Sequence, residues 1–137
     1  AGQLIDLCFS KKYHQDEIRR MVLGEGGYVG YLGTNNALDV QKMAESGNDF
    51  ARKIQDALGY QVSKAIGEMA VVLNGIVDAI ILTGGLAYND YLVNYITSKV
   101  EFISEVVVYP GEDELEALAL NALRVATGEI EPLEYPN

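Results

Sequence analysis

Apolar residues recur along the chain at two spacings, and the changes between them mark its elements. Leu4, Ile5, Leu7 and Cys8 form one apolar face at helical spacing. The polar run Ser10 to Tyr13 breaks it before a second short helix, Gln15 to Leu23, which ends at Gly24. Gly26 and Gly27 lead into Tyr28-Val29-Gly30-Tyr31-Leu32, whose aromatic and β-branched content predicts a first strand stopped by Gly33-Thr34-Asn35. Asn35 or Asn36 can cap a helix carrying Val40, Met43 and Ala44, and Ser46-Gly47-Asn48 give the next break.

Between Asp49 and Leu73, Phe50, Ile54, Ala57, Leu58, Val62, Ala65, Ile66, Met69, Ala70 and Leu73 fall at three- and four-residue steps, which predicts the longest helix with one wide apolar face. Gly59 and Gly67 inside it each cost about 1 kcal/mol relative to Ala. Either could mark close backbone packing, although ordinary packing is the simpler expectation. Asn74-Gly75 close this helix. Val77 to Leu82 is an almost unbroken apolar run ending in Thr83-Gly84-Gly85, as expected of a strand covered on both faces in a parallel sheet. A helix over Asn89 to Val100, a strand over Val106 to Tyr109 stopped by Pro110-Gly111, and a helix from Asp113 to Gly128 complete the order. The last helix carries the stripe Leu115, Leu118, Ala119, Ala122, Leu123 and Ala126, and Glu129 to Asn137 read as a loose tail.

Strand, helix, strand, helix, strand, helix is a pattern of parallel crossovers, so the class is α/β, a central sheet of parallel strands covered by helices. At 137 residues there is chain for one ordinary core, and residues 1–137 read as a single domain or one piece of a larger enzyme. Hydrophobic residues make up 49%, which excludes intrinsic disorder, and a single Cys excludes a disulfide or multi-cysteine zinc framework and points to a reducing compartment, the cytoplasm. The net charge of −10 opposes a nucleic-acid backbone or an anionic membrane surface. No apolar run reaches the roughly 20 residues of a membrane helix. The N-terminus, without Met, a basic region or a long apolar core, reads as a cut edge rather than a signal.

Two segments stand where ligands of such sheets bind, beyond the carboxyl ends of strands. In Thr83-Gly84-Gly85-Leu86-Ala87 a strand meets two glycines just before a helix, so bare backbone N–H groups can face an anion or a nucleotide. A tight turn that needs glycine for φ alone explains the pair equally well. The motif is neither a Walker loop nor a dinucleotide fingerprint. In Gly111-Glu112-Asp113-Glu114-Leu115-Glu116, four carboxylates within five residues could ligate Mg²⁺, but acidic residues at a helix start also favour the helix dipole by about 0.3 to 1 kcal/mol each, and capping is the better explanation. His14 stands in a polar turn with no nucleophile set against it and is expected at the surface. Cys8, at an apolar helical position, is expected to be a small core residue. The basic pairs Lys11-Lys12, Arg19-Arg20 and Arg52-Lys53 read as solvated helix faces.

Taken in order, Leu7-Cys8-Phe9-Ser10-Lys11-Lys12-Tyr13, Gly26 to Asn35, Val77 to Tyr88 and Val107 to Leu118 resemble the C-terminal domain of butyrate kinases. These are acetokinase-family members of the actin-like ATPase superfamily, with a ribonuclease H-like domain. The resemblance implies transfer of the γ-phosphoryl group of ATP to butyrate or a branched short-chain fatty acid, giving acyl phosphate and ADP, with Mg²⁺. It places Thr83, Gly84, Gly85, Leu86 and Ala87 on the adenosine and phosphates, Gly33, Thr34 and Asn35 across the adenine side, and Asp113 or Glu114 at the metal. Family members continue Thr-Asn with Asp, Ala and Arg, whereas this chain has Asn36, Ala37 and Leu38. That puts one arm of the adenine clamp in question. The family's N-terminal half, with its own phosphate loop and catalytic residues, lies outside these residues, so the chain is expected to hold no catalytic residue and to be inactive alone. A homo-oligomer is also implied, and a non-catalytic dimerisation domain is the rival reading. Acetate or propionate kinase fits less well, because Gly-Leu-Ala-Tyr-Asn stands where those relatives carry Gly-Ile-Gly-Glu-Asn.

Overall fold

The computed structural model describes residues 2–111 and 114–132. Four short helices come first: α1 (Gly2–Phe9), α2 (Gln15–Leu23), α3 (Gly27–Leu32) and α4 (Ala37–Glu45). The long α5 (Asp49–Val72) follows, then β1 (Ile80–Gly84), a 3-10 turn (Gly85–Tyr88), α6 (Asp90–Val100), β2 (Val106–Pro110) and α7 (Glu114–Ala126). No helix among the described residues is long and apolar enough to cross a membrane.

Local chemistry sets most boundaries. Asn36, Asn48 and Asn89 each accept a backbone N–H of the helix they precede, satisfying donors that a helix start leaves free. Asn74 and Gly75, both left-handed, end α5 as expected. His14 precedes α2 and donates its backbone N–H to the Glu17 carboxylate at 2.6 Å, a surface position as expected.

The expected first strand over residues 28–32 is instead α3. Glycine brackets both ends: Gly26 is the N-cap, and Gly33, left-handed at φ 71°, donates its N–H to the Val29 carbonyl at 2.9 Å. The residues that looked like strand punctuation are helix caps. Gly30 adds a second reason, since a Cβ there would stand 2.8 Å from the Glu25 carbonyl oxygen. With this strand gone, the sheet among the described residues has two strands, β1 and β2, parallel and in register from Ile80 with Val106 to Gly84 with Pro110. The crossover through α6 and the α/β class stand.

β1 starts three residues later than the apolar run suggested, where the Ile80 N–H donates to the Glu105 carbonyl at 2.8 Å, and it runs on through Thr83 and Gly84. Ile80 joins Leu92, Ile96 and Val100 of α6 in the core, with Leu58, Val62 and Ile66 of α5 packed against them. Ile81, on the opposite face, is 62% exposed. Among the described residues the helices therefore cover one face of the sheet, not both. The stripe expected on α7 is likewise uncovered at Leu115, Leu118 and Leu123. Cys8 is exposed rather than part of the core, because α1 buries none of its residues.

In α5 the buried ridge is Ala51, Gln55, Gly59 and Ser63, one register step from the expected apolar face. Small residues let α4 and α6 come close. A Cβ on Gly59 would stand 2.7 Å from Cδ1 of Tyr95 and 3.1 Å from Cδ1 of Leu92, so this glycine is a close-packing site. Glu129, where the tail was expected to begin, accepts from Arg124 at 3.0 Å, and 133–137 lie outside the described residues.

Candidate functional site

β1 ends in an irregular junction. Gly84 exchanges two backbone hydrogen bonds with Gly111, 3.1 and 3.2 Å long, and takes φ 84° and ψ −179°, a combination open essentially to glycine alone. Backbone geometry thus accounts for Gly84. Gly85 is different: its φ is not left-handed, and a Cβ there would meet nothing within 4 Å. Neither turn geometry nor packing within the described residues asks for glycine at 85. The turn ends on buried Asn89, whose N–H donates to the Leu86 carbonyl at 3.1 Å and whose Oδ1 accepts the Leu92 N–H at 3.0 Å.

Opposite this turn stands α3 with the start of α4. Between them and α5 lies an open hollow of about 490 Å³, bordered by Tyr28, Tyr31, Asn35, Ile54, Gln61 and Leu86 among others. That volume falls within the roughly 300–1,000 Å³ typical of small-molecule sites. Its walls are mainly apolar and aromatic, with the carboxamides of Asn35 and Gln61 as polar groups. Tyr31 meets Phe50 edge to face at 6.4 Å. Burial pushes the Tyr28 phenol above its ordinary pKa.

The structure brings some of the expected site residues together and separates others. Asn35 and Leu86 border the same hollow, and Gly85 adjoins Leu86 in the turn. Thr83, Leu86 and Ala87 border a second hollow of about 270 Å³ toward the core, shared with Leu58 and Leu92. Gly33 ends α3, and Thr34 Oγ1 accepts the Asn36 N–H at 3.1 Å, so the two flank Asn35 at the junction of α3 and α4. Leu38 is exposed in the first turn of α4. Asp113 lies outside the described residues, and Glu114 opens α7. Among the described residues no three His, Cys, Asp or Glu side chains gather as a metal site.

Sequence reasoning missed the aromatic wall, because Tyr28 and Tyr31 were assigned to a strand. It also passed over Gln61, although Ile54, Ala57, Leu58 and Gln61 share helical spacing on α5 and that face alone could have suggested it.

The end of β1 thus carries a glycine turn whose Leu86 borders a hollow walled by α3, α4 and α5. Residues 6–106 match the model of the acetokinase family, so the chain belongs to that family. It is 53% identical over 135 residues to butyrate kinase 2 of Clostridium acetobutylicum, an alignment that covers 98% of this chain and 38% of that protein. The chain thus spans about two fifths of the curated relative's length. The crystal structure of Porphyromonas gingivalis acetate kinase superposes with a TM-score of 0.72 over 89% of this chain and 38% of its own, at 19% identity, so the two share a fold.

Proposed function

We propose that the chain is the nucleotide-binding half of a short-chain carboxylate kinase, with ATP as phosphoryl donor and butyrate or a branched relative as acceptor. A carboxylate oxygen of the acid attacks the γ-phosphorus, the bond from that phosphorus to the bridging oxygen breaks, and acyl phosphate and ADP leave. Family membership supports the reaction class, and the identity to a butyrate kinase supports the acid. The observation that carries the nucleotide reading is Gly85, a glycine that nothing in the described chain requires, set beside a hollow bordered by both Leu86 and Asn35.

In this reading the base lies between Tyr28, Tyr31 and Ile54, and the phosphates run past the bare backbone of residues 84 and 85. Little covalent work falls to these residues, since phosphoryl transfer depends on positioning and charge stabilisation. The acid and the remaining phosphate contacts belong to parts of the enzyme beyond this chain, so the chain alone binds without turning over. Titrating the chain with Mg-ATP by calorimetry tests the reading: saturable one-to-one heat, displaced by ADP, is expected, and no saturable heat would overturn it. Assaying the whole enzyme against acetate, propionate, butyrate and isobutyrate tests the acid, with butyrate or isobutyrate expected to give the highest kcat/KM.

A second reading, an assembly domain, has its own observation. Val71, Val72, Ile76 and Phe102 lie more than two thirds exposed near the C-terminal end of α5. Sedimentation separates the two: a concentration-dependent dimer that ignores Mg-ATP would favour assembly.

A further inference from the structure

α6 starts two residues after the 3-10 turn ends, so whatever fastens its first turn also fastens residues 85–88. Asn89 is the joint, bonded to the Leu86 carbonyl on one side and to the Leu92 N–H on the other. Two residues on, Tyr91 reaches back to α5. Its hydroxyl donates to Oδ1 of Asp56 at 2.7 Å, and the Arg52 guanidinium carbon lies 3.9 Å from its ring centroid. Arg52 also donates to Oε1 of Gln55 at 3.0 Å, and Gln55 is fully buried. One helical turn further along, Tyr95 closes on Gly59 with no room for a Cβ.

These two contacts do different things. At Gly59 the helices touch without slack, which makes a pivot. Held there alone, α6 could rock; Tyr91, four residues closer to the turn, gives it a second contact with α5. The hollow is bordered on one side by Leu86 of the turn and on the other by Ile54, Leu58 and Gln61 of α5, residues interleaved with Arg52 and Asp56. Rocking would change the separation of those walls. Polar contacts this exposed add little to global stability, so their effect is to be sought in geometry.

We propose that Tyr91 is a positioning residue: through Asp56 and Arg52 it holds the Gly85–Tyr88 turn at a set distance from α5, so that a nucleotide meets a preformed site. The role in binding rests on the nucleotide reading above; the fastening of the turn does not. A preformed site loses less freedom when it binds, which raises affinity without a new contact to the ligand.

Two measurements on the whole chain test this. Hydrogen exchange on Tyr91→Phe, which keeps the ring and its stacking, should quicken at the amides of residues 85–89 by about three- to ten-fold, with α5 amides unchanged. Mg-ATP should bind more weakly by a similar factor. Asp56→Ala should reproduce both effects from the other side, and the double variant should be no worse than either single one, because both remove one contact. Unchanged exchange at residues 85–89 in both single variants overturns the proposal whatever happens to binding. Faster exchange with undiminished Mg-ATP affinity also overturns it, leaving a clip without a role in the site. If the unaltered chain takes up no Mg-ATP, the nucleotide reading falls and the binding role of Tyr91 with it, while the exchange result still decides whether Tyr91 fastens the turn.

Discussion

The seam between α5 and α6 and the turn after β1 each use a glycine, and the protein's own interior explains only one of them. At Gly59 a Cβ would collide with Tyr95, so its absence is what allows two helices to close. At Gly85 a Cβ would meet nothing within 4 Å, and the backbone has no left-handed angle to relieve. At residue 85, beside the hollow, the proposed function gives that bareness a use: the close approach of a nucleotide to the backbone. Gly84, the neighbour, belongs with the seam, since its φ of 84° is a demand of the fold itself.

That contrast can be broken by substitution, and the largest effect is expected in the seam. Gly59→Leu should destabilise the chain by about 3 kcal/mol through overpacking, read as a lowered urea midpoint with the m-value unchanged. Gly84→Ala should come next, costing about 2 kcal/mol for a strained backbone in the same measurement. Gly67 sharpens the point: it sits in α5 with nothing within 4 Å of its missing Cβ, so Gly67→Ala should stabilise the chain by about 1 kcal/mol. A loss of stability there would show that the contrast between packed and open glycines has been drawn in the wrong place.

The smallest effect is in pH. The hydrogen bond to Asp56, with burial and the Asp56 charge adding to it, raises the Tyr91 pKa above the ordinary phenol value, while Arg52 opposes the shift. The folded value lies above the unfolded one, so this contact contributes fully below about pH 10 and is lost as pH rises through the raised folded value. The difference in melting temperature between the wild-type chain and Tyr91→Phe should therefore be constant near neutrality and shrink in strong alkali. A difference that grows with pH would contradict the assigned hydrogen bond.

Much of this was legible in the sequence, and the misses have physical causes. The asparagine cap before α4 and the breaks at Ser46-Gly47-Asn48 and Asn74-Gly75 marked α4 and α5 because these signals act within a few residues. Residues 28–32 misled because Tyr, Val and Tyr favour strands, yet a six-residue segment with glycine at each end is governed by its caps. The run around Ile80 and Ile81 reads as buried on both faces, but burial depends on what lies opposite, and among the described residues one face has no cover. For the site, the glycine turn was visible at once, whereas the hollow was not. Its walls come from α3, α4, α5 and the turn after β1, elements whose convergence no local pattern records.

The most direct measurement is paired: Mg-ATP affinity and urea stability of the chain with Gly85→Val, beside the unaltered chain. Open space around residue 85 predicts stability within about 0.5 kcal/mol of wild type. It also predicts Mg-ATP affinity at least about ten-fold lower, because the new side chain would fill the approach to the backbone. Equal affinity in the two chains would contradict the account and remove the turn from the nucleotide site.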